Sequence, residues 1–191
     1  SLGSYDRSVP LVIDPVIIVS RPIGSSANDD FVSSSSWTAS GRLMAAGFTL
    51  GSDFPTTAGP NEHRSTGGSD IVALEIDSNT LELVSSSYLG GTGYEYVYAM
   101  DVTPVGVIAI TGATTSRDFP LRSAFQSTFP DVDSFATQGF VLVYRPDGAE
   151  IVFSTYLGGS ESESFEGISF APGGDLVVAG TTFAIGVLWR G

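Results

Sequence analysis

The phrase Tyr-Leu-Gly-Gly occurs twice, in "SSYLGGTGYEYVYAMDV" from Ser86 to Val102 and in "FSTYLGGSESESFEGISF" from Phe153 to Phe170. Tyr88 and Tyr156 lie 68 residues apart, and a second phrase keeps nearly the same period. "AGFTLGSDFP" (Ala46 to Pro55) returns as "TGATTSRDFP" (Thr111 to Pro120), 65 residues on, and "AGTTF" (Ala179 to Phe183) begins a third copy. Gly47, Gly112 and Gly180 mark the same point in each. Upstream, "IIVSRPIGSS" (Ile17 to Ser26) fills the slot of "LVSSSYLGGT" and "IVFSTYLGGS", with Pro22 in place of tyrosine. Repetition at this scale restricts the chain to architectures in which one supersecondary unit stacks on the next, the propellers and solenoids.

The unit is built of strands. Short runs of Val, Ile, Tyr, Phe and Thr stand between Gly, Pro, Asp and Ser clusters, with 23 Gly, 10 Pro and 15% charged residues in 191, the composition of an all-β chain. In the clearest copy the strands read "GFVLVYR" (Gly139 to Arg145), "AEIVFSTYL" (Ala149 to Leu157), "FEGISFA" (Phe165 to Ala171) and "GDLVVAGTT" (Gly174 to Thr182), with hairpin turns at "RPDGAE" and "APGGDL". Phe140, Leu142 and Tyr144 point one way and Val141 and Val143 the other, so both faces of such a sheet need cover.

The expectation is an all-β, β-propeller-like chain of about three four-stranded antiparallel blades, forming a partial ring or a ring completed by oligomerisation. Residues 1–51 would hold an N-terminal junction and a first, partly atypical blade. Residues 52–115 would hold a crossing loop and the second blade, and residues 116–191 a second crossing and a third, truncated blade. The strandless stretches Ser52 to Ser69 and Ser116 to Gln138 are read as the crossings between blades, with Phe54 and Phe119 wedged against the sheets.

"STYLGG", "AGTT" or "TGATTS", "DFP" and "RPDGAE" together resemble the SBBP-type bacterial β-propeller repeat, and "YDRSVPLVIDPVIIVS" (Tyr5 to Ser20) resembles the junction that precedes a first repeat. The resemblance covers most of the chain. It implies part of a large secreted or cell-surface bacterial protein without an assigned activity. The chain departs from the pattern at "SRPIGSS" and at "TTFAIGVLWRG", where a further "DFP" would follow.

Charge narrows the partners. The formal net charge is −13 and all eight basic residues are Arg, which disfavours nucleic acid and anionic membrane surfaces and leaves neutral glycans, basic or surface proteins and cations. No apolar run reaches the length of a membrane-inserted span. With no Cys there is neither a disulfide framework nor Cys-ligated zinc. Three blades leave two open faces, so self-association, or the remaining blades of a longer parent chain, is expected to cover them.

In a meander the connections after every second strand leave from one end, and the polar phrases "SSANDD", "TGYE" and "GSESESFEG" all fall there. Asn28, Asp29, Asp30, Tyr94, Glu95, Glu161, Glu163 and Glu166 are the candidate ligand-binding residues, and Asp131 and Asp133 of "DVDS" the candidate calcium ligands. Tyr94, Tyr96 and Tyr98 alternate and offer an aromatic strip for sugar stacking, against inter-blade packing for at least two of them. His63, the single histidine, sits in a polar loop, and no "GxSxG" elbow accompanies it. The reading is a non-catalytic binding or scaffold module. The alternatives are a propeller-type polysaccharide hydrolase with carboxylates from separate loops, or a structural subunit that assembles into polymers.

Overall fold

The structure, a computed structural model, describes residues 21–26, 29–57, 68–130 and 136–183. Ten strands run β1 (Asp30–Trp37), β2 (Arg42–Thr49), β3 (Asp70–Asp77), β4 (Leu83–Leu89), β5 (Glu95–Val102), β6 (Ile108–Thr114), β7 (Gln138–Arg145), β8 (Glu150–Leu157), β9 (Glu163–Phe170) and β10 (Leu176–Thr182). They form two four-stranded sheets, β1-β2-β3-β4 and β5-β6-β7-β8, and a two-stranded sheet, β9-β10. Every pairing is antiparallel. The all-β expectation holds, and no α-helix occurs among the described residues.

The grouping of strands differs from the one read off the repeat. β7 and β8 pair with β5 and β6 rather than with β9 and β10. The long stretches after β2 and β6 therefore join neighbouring strands of one sheet, and it is the short Tyr-Leu-Gly-Gly turns that pass from sheet to sheet. The third sheet has two strands among the described residues, where four were expected. A repeat of four strands can be cut at any strand without changing its period, so periodicity cannot say where one sheet ends.

Local chemistry repeats with the strands. The first hairpin of each sheet closes on a glycine with positive φ, Gly41 (φ 81), Gly106 (φ 88) and Gly174 (φ 92), a conformation that a Cβ makes costly. Each of these glycines donates its N–H to the residue three back: Thr38, Thr103 and Ala171. The first strand of each sheet bulges at its fourth residue, marked by register shifts between Val32 and Ser34, between Val97 and Ala99, and opposite Ala179 and Gly180. At each bulge the aligned glycine of the second strand lets the backbones close up: a Cβ on Gly47, Gly112 or Gly180 would overlap the carbonyl oxygen of Phe31, Tyr96 or Ser164.

The main core lies between the first two sheets. Met44, Ala46, Ile71 and Ala73 of the first sheet share one buried cluster with Ile110, Phe140, Leu142 and Tyr144 of the second, and Ser87 and Tyr144 share a hydroxyl hydrogen bond of 2.6 Å across it. The other face of the second sheet carries β9, whose Phe165 ring packs where Gly139 leaves room. The two-faced apolar pattern of β7 thus reflects cover on both sides. Both junctions use one device: Glu95 N–H donates to the Ser69 carbonyl (2.9 Å) and Ser69 Oγ to the Glu95 carbonyl (2.7 Å). Glu163 and Thr137 repeat it at 3.0 and 3.2 Å.

Candidate functional site

The connections after β2, β4, β6 and β8 share one end of the stacked sheets, because those inter-sheet bonds tie residues at the starts of β3, β5, β7 and β9 together. The hairpin turns share the other end, where Ala39 N–H meets the Pro104 carbonyl at 3.3 Å.

Loops at the first end are held by the repeated phrases. The Tyr156 hydroxyl accepts the Phe119 N–H (3.2 Å) and donates to the Ser116 carbonyl (2.7 Å). Tyr88 does the same with Phe54 (2.7 Å) and Gly51 (2.8 Å). Two residues before each tyrosine a serine hydroxyl donates to the proline carbonyl of "DFP", Ser154 to Pro120 and Ser86 to Pro55. The aspartate of "DFP" closes the unit: Asp118 accepts from Thr92 N–H (2.9 Å) and Thr92 Oγ1 (3.0 Å), and Asp53 accepts from the N–H and hydroxyl of Ser26. Those bonds from Ser26 hold the Asp53 carboxyl below its usual range. Phe54 and Phe119 are buried, as the wedge reading expected. The second long loop also lies along the free edge of β8, with bridges Arg122 to Ser154 and Gln126 to Tyr156.

Beneath the loops sits a row of buried polar side chains. Glu95 Oε1 accepts from Thr114 Oγ1 (2.7 Å) and Ser116 Oγ (2.5 Å), and its Oε2 from Gly91 N–H (3.2 Å). Burial pushes the Glu95 carboxyl up and the nearby Asp118 charge adds to this, while the three hydrogen bonds oppose it. The buried Asp70 carboxylate faces Glu95 across Gly90, where a Cβ would overlap an oxygen of each. At the next junction Gln138 and Glu163 take those places: Gln138 Oε1 and Glu163 Oε2 each lie 2.5 Å from the Cβ position of Gly158. Both atoms are buried and make no hydrogen bond within the protein. The Gln138 amide is oriented by its Nε2, which donates to the carbonyls of Gly159 (3.3 Å) and Glu161 (3.1 Å). Two acceptor oxygens facing one point suit a shared donor, but this pair alone falls short of the six to eight oxygens that calcium takes. Among the described residues no group of three or more His, Cys, Asp or Glu is placed to hold a metal ion.

The expected ligand residues therefore divide. Asp29, Glu161 and Glu166 are exposed and Tyr94 is 44% exposed, whereas Glu95 and Glu163 are buried structural groups. Asp30 is half-buried and takes bonds from Ser25 N–H (2.6 Å) and from Thr49 Oγ1. Glu166 accepts from Ser164 Oγ. Asn28, Asp131, Asp133 and His63 lie outside the described residues. Of the tyrosine strip, Tyr96 packs edge-on against Phe48 of the first sheet at 5.5 Å and stacks on Tyr94 at 6.4 Å, 7° from parallel. Tyr98 occupies the bulge and is exposed.

At the hairpin end a small, shallow pocket is flanked by Arg42 and Arg145. Both are already matched, Arg42 lying 3.8 Å from Glu75 and from Asp77, and Arg145 3.0 Å from Glu150.

No protein-family model matches the chain, and no curated protein matches it either.

Proposed function

We propose that the chain is a non-catalytic binding module of a secreted or cell-surface bacterial protein, its sheets acting as propeller blades of the SBBP type and its loop end as the ligand face. The observation that carries this reading is the loop end itself. The long connections after β2 and β6 are pinned to the sheets by Tyr88 with Ser86 and by Tyr156 with Ser154, and their Asp53 and Asp118 tie down the turns at Ser26 and Thr92. A rigid scaffold with variable loops at one end is the usual way to build a recognition surface.

The exposed chemistry of that end includes Asp29, Asp53, Thr92, Asp118, Glu161 and the Tyr94 ring. A loop end that offers an exposed aromatic ring together with hydroxyl and carboxylate acceptors suits a neutral glycan, and the net charge of −13 repels polyanions. Burial and full hydrogen bonding make Glu95 a poor general acid or nucleophile for solvent-borne substrate, which weighs against the hydrolase alternative. Screening the purified chain against immobilised neutral and acidic polysaccharides, followed by a reducing-end assay on every hit, tests this. Binding of neutral glycans without turnover is expected, and sustained release of reducing ends would overturn the reading.

A further inference from the structure

Four aromatic rings form one row across the junction of the first two sheets. Phe31 of β1 stacks on Phe48, its cross-strand partner on β2, at 4.8 Å and 21° from parallel. Phe48 meets Tyr96 of β5 edge-on at 5.5 Å, and Tyr96 lies 6.4 Å from the nearly parallel ring of Tyr94. The two middle rings are half-buried, whereas the end rings stand in solvent, Phe31 at 46% and Tyr94 at 44% exposure. The middle pair thus fixes the outer two. Both end rings belong to the loop end, because Phe31 is the second residue of β1 and Tyr94 immediately precedes β5.

The repeat supplies an internal control. The cross-strand pair of Phe31 with Phe48 recurs as Tyr96 with Ala113 in the second sheet and as Ser164 with Thr181 in the third. Tyr94 stands where Asp29 and Ser162 precede the other two first strands. At the junction of the second and third sheets Ala113 and Ser164 therefore take the places of Phe48 and Tyr96, and the ring-to-ring contact has no counterpart. Yet both junctions are tied in the same way, by Ser69 with Glu95 and by Thr137 with Glu163. The frame closes without rings, and a ring left almost half in water adds little to a core. The row is a feature of one junction added to a frame that does not need it.

We propose that this row is the sugar-stacking surface of the loop end, and that its ligand is a neutral chain of equatorially linked hexopyranoses laid across the junction from Phe31 to Tyr94. A hexopyranose with equatorial hydroxyls turns a flat patch of C–H bonds to an aromatic face and points its hydroxyls outward. The tyrosine hydroxyls and the exposed Asp29 carboxylate beside β1 are the partners for that rim. The rings carry no charge, and the net charge of −13 disfavours an acidic chain. Two end rings separated by the middle pair call for a ligand of several units. The proposal rests on the glycan-binding reading above and adds to it the ligand class and a contact, Phe31, on the first sheet.

Isothermal titration of the full chain with cellohexaose and cellobiose tests this. The hexaose should bind at least about tenfold more tightly than the disaccharide, because only the longer chain engages both end rings at once. Phe31→Ala and Tyr94→Ala should each weaken hexaose binding about tenfold or more, with far-ultraviolet circular dichroism unchanged because both rings are exposed. Trp37→Ala, at an exposed ring on the hairpin end of β1, should bind as wild type does. Hexaose binding that survives Phe31→Ala overturns the proposal and leaves the glycan-binding reading standing. A wild-type chain that ignores the hexaose also overturns it, and the polysaccharide screen then decides the broader reading by itself. Light scattering on the same samples completes the test, since a wild-type dimer that Phe31→Ala dissolves would give the row to a second copy and overturn the proposal.

Discussion

Tyr156 and Phe119 are joined through the tyrosine hydroxyl, which takes the phenylalanine N–H at 3.2 Å while the two rings pack 6.1 Å apart. Tyr88 and Phe54 repeat the arrangement at 2.7 Å and 6.4 Å. The two most conspicuous phrases of the repeat, Tyr-Leu-Gly-Gly and Asp-Phe-Pro, are therefore two halves of one clamp.

Breaking the clamp has a stated size. Phe119→Ala should cost about 3 to 5 kcal/mol, the range for truncating a buried aromatic. Tyr156→Phe keeps the ring but strands the Phe119 N–H and the Ser116 carbonyl, which should cost about 1 to 3 kcal/mol. Urea melts of both single variants and the double variant check this. The double variant should lose less than the sum, because both changes remove the same contact. A Phe119→Ala loss below about 1 kcal/mol would place that ring at the surface.

The bulge-facing glycines offer a sharper contrast. Gly112→Ala drives a Cβ into the Tyr96 carbonyl oxygen, and backbone cannot yield as a flexible side chain does. A loss of at least about 3 kcal/mol is expected, at the upper end for overpacking. Gly167→Ala places its Cβ 3.8 Å from Ala179, an ordinary contact, and should change stability by no more than about 0.5 kcal/mol. Thermal melts of the pair decide it, and equal effects would mean that β5 and β6 do not approach as described.

Stability should carry a pH signature from Glu95. Its folded carboxyl titrates above the ordinary value of 4.5, first because it is buried and then because of Asp118. An acid raised on folding binds more protons in the native state, so its contribution is full below about pH 4.5 and declines as pH climbs through the raised pKa. Glu95→Gln removes that titration. The stability of wild type minus that of Glu95→Gln should fall as pH rises from 4 to 8, measured by urea melts at each pH. A difference that stays flat or rises would show that the Glu95 charge is stabilised in place.

Much of the fold was legible in the sequence, and the part that was not has a physical cause. Strand character, hairpin turns and the buried places of Phe54 and Phe119 followed from apolar runs and turn residues. The sheet boundaries did not, because a loop as long as the one from Ser116 to Thr137 can still join neighbours when it detours along the edge of β8. Glu95 and Glu163 read as loop carboxylates since each follows a polar turn. They are interior because hydroxyls from the second strand, Thr114 and Thr182, meet them there. The signal for that was present in the aligned threonines of "TGAT" and "AGTT" but needs the pairing to be read.

Whether recognition sits on the loop end is tested most directly by comparing the two ends of the stack. Isothermal titration of the best polysaccharide from the screen should be run against Tyr94→Ala and Glu161→Ala at the loop end, and Asn79→Ala and Val105→Ser at the hairpin end, all exposed positions. The loop-end variants should each lose about tenfold or more in affinity, some 1.4 kcal/mol, with melting unchanged and the hairpin-end variants indistinguishable from wild type. Loss confined to the hairpin-end variants, or no loss at either end, would contradict a ligand face built from these loops.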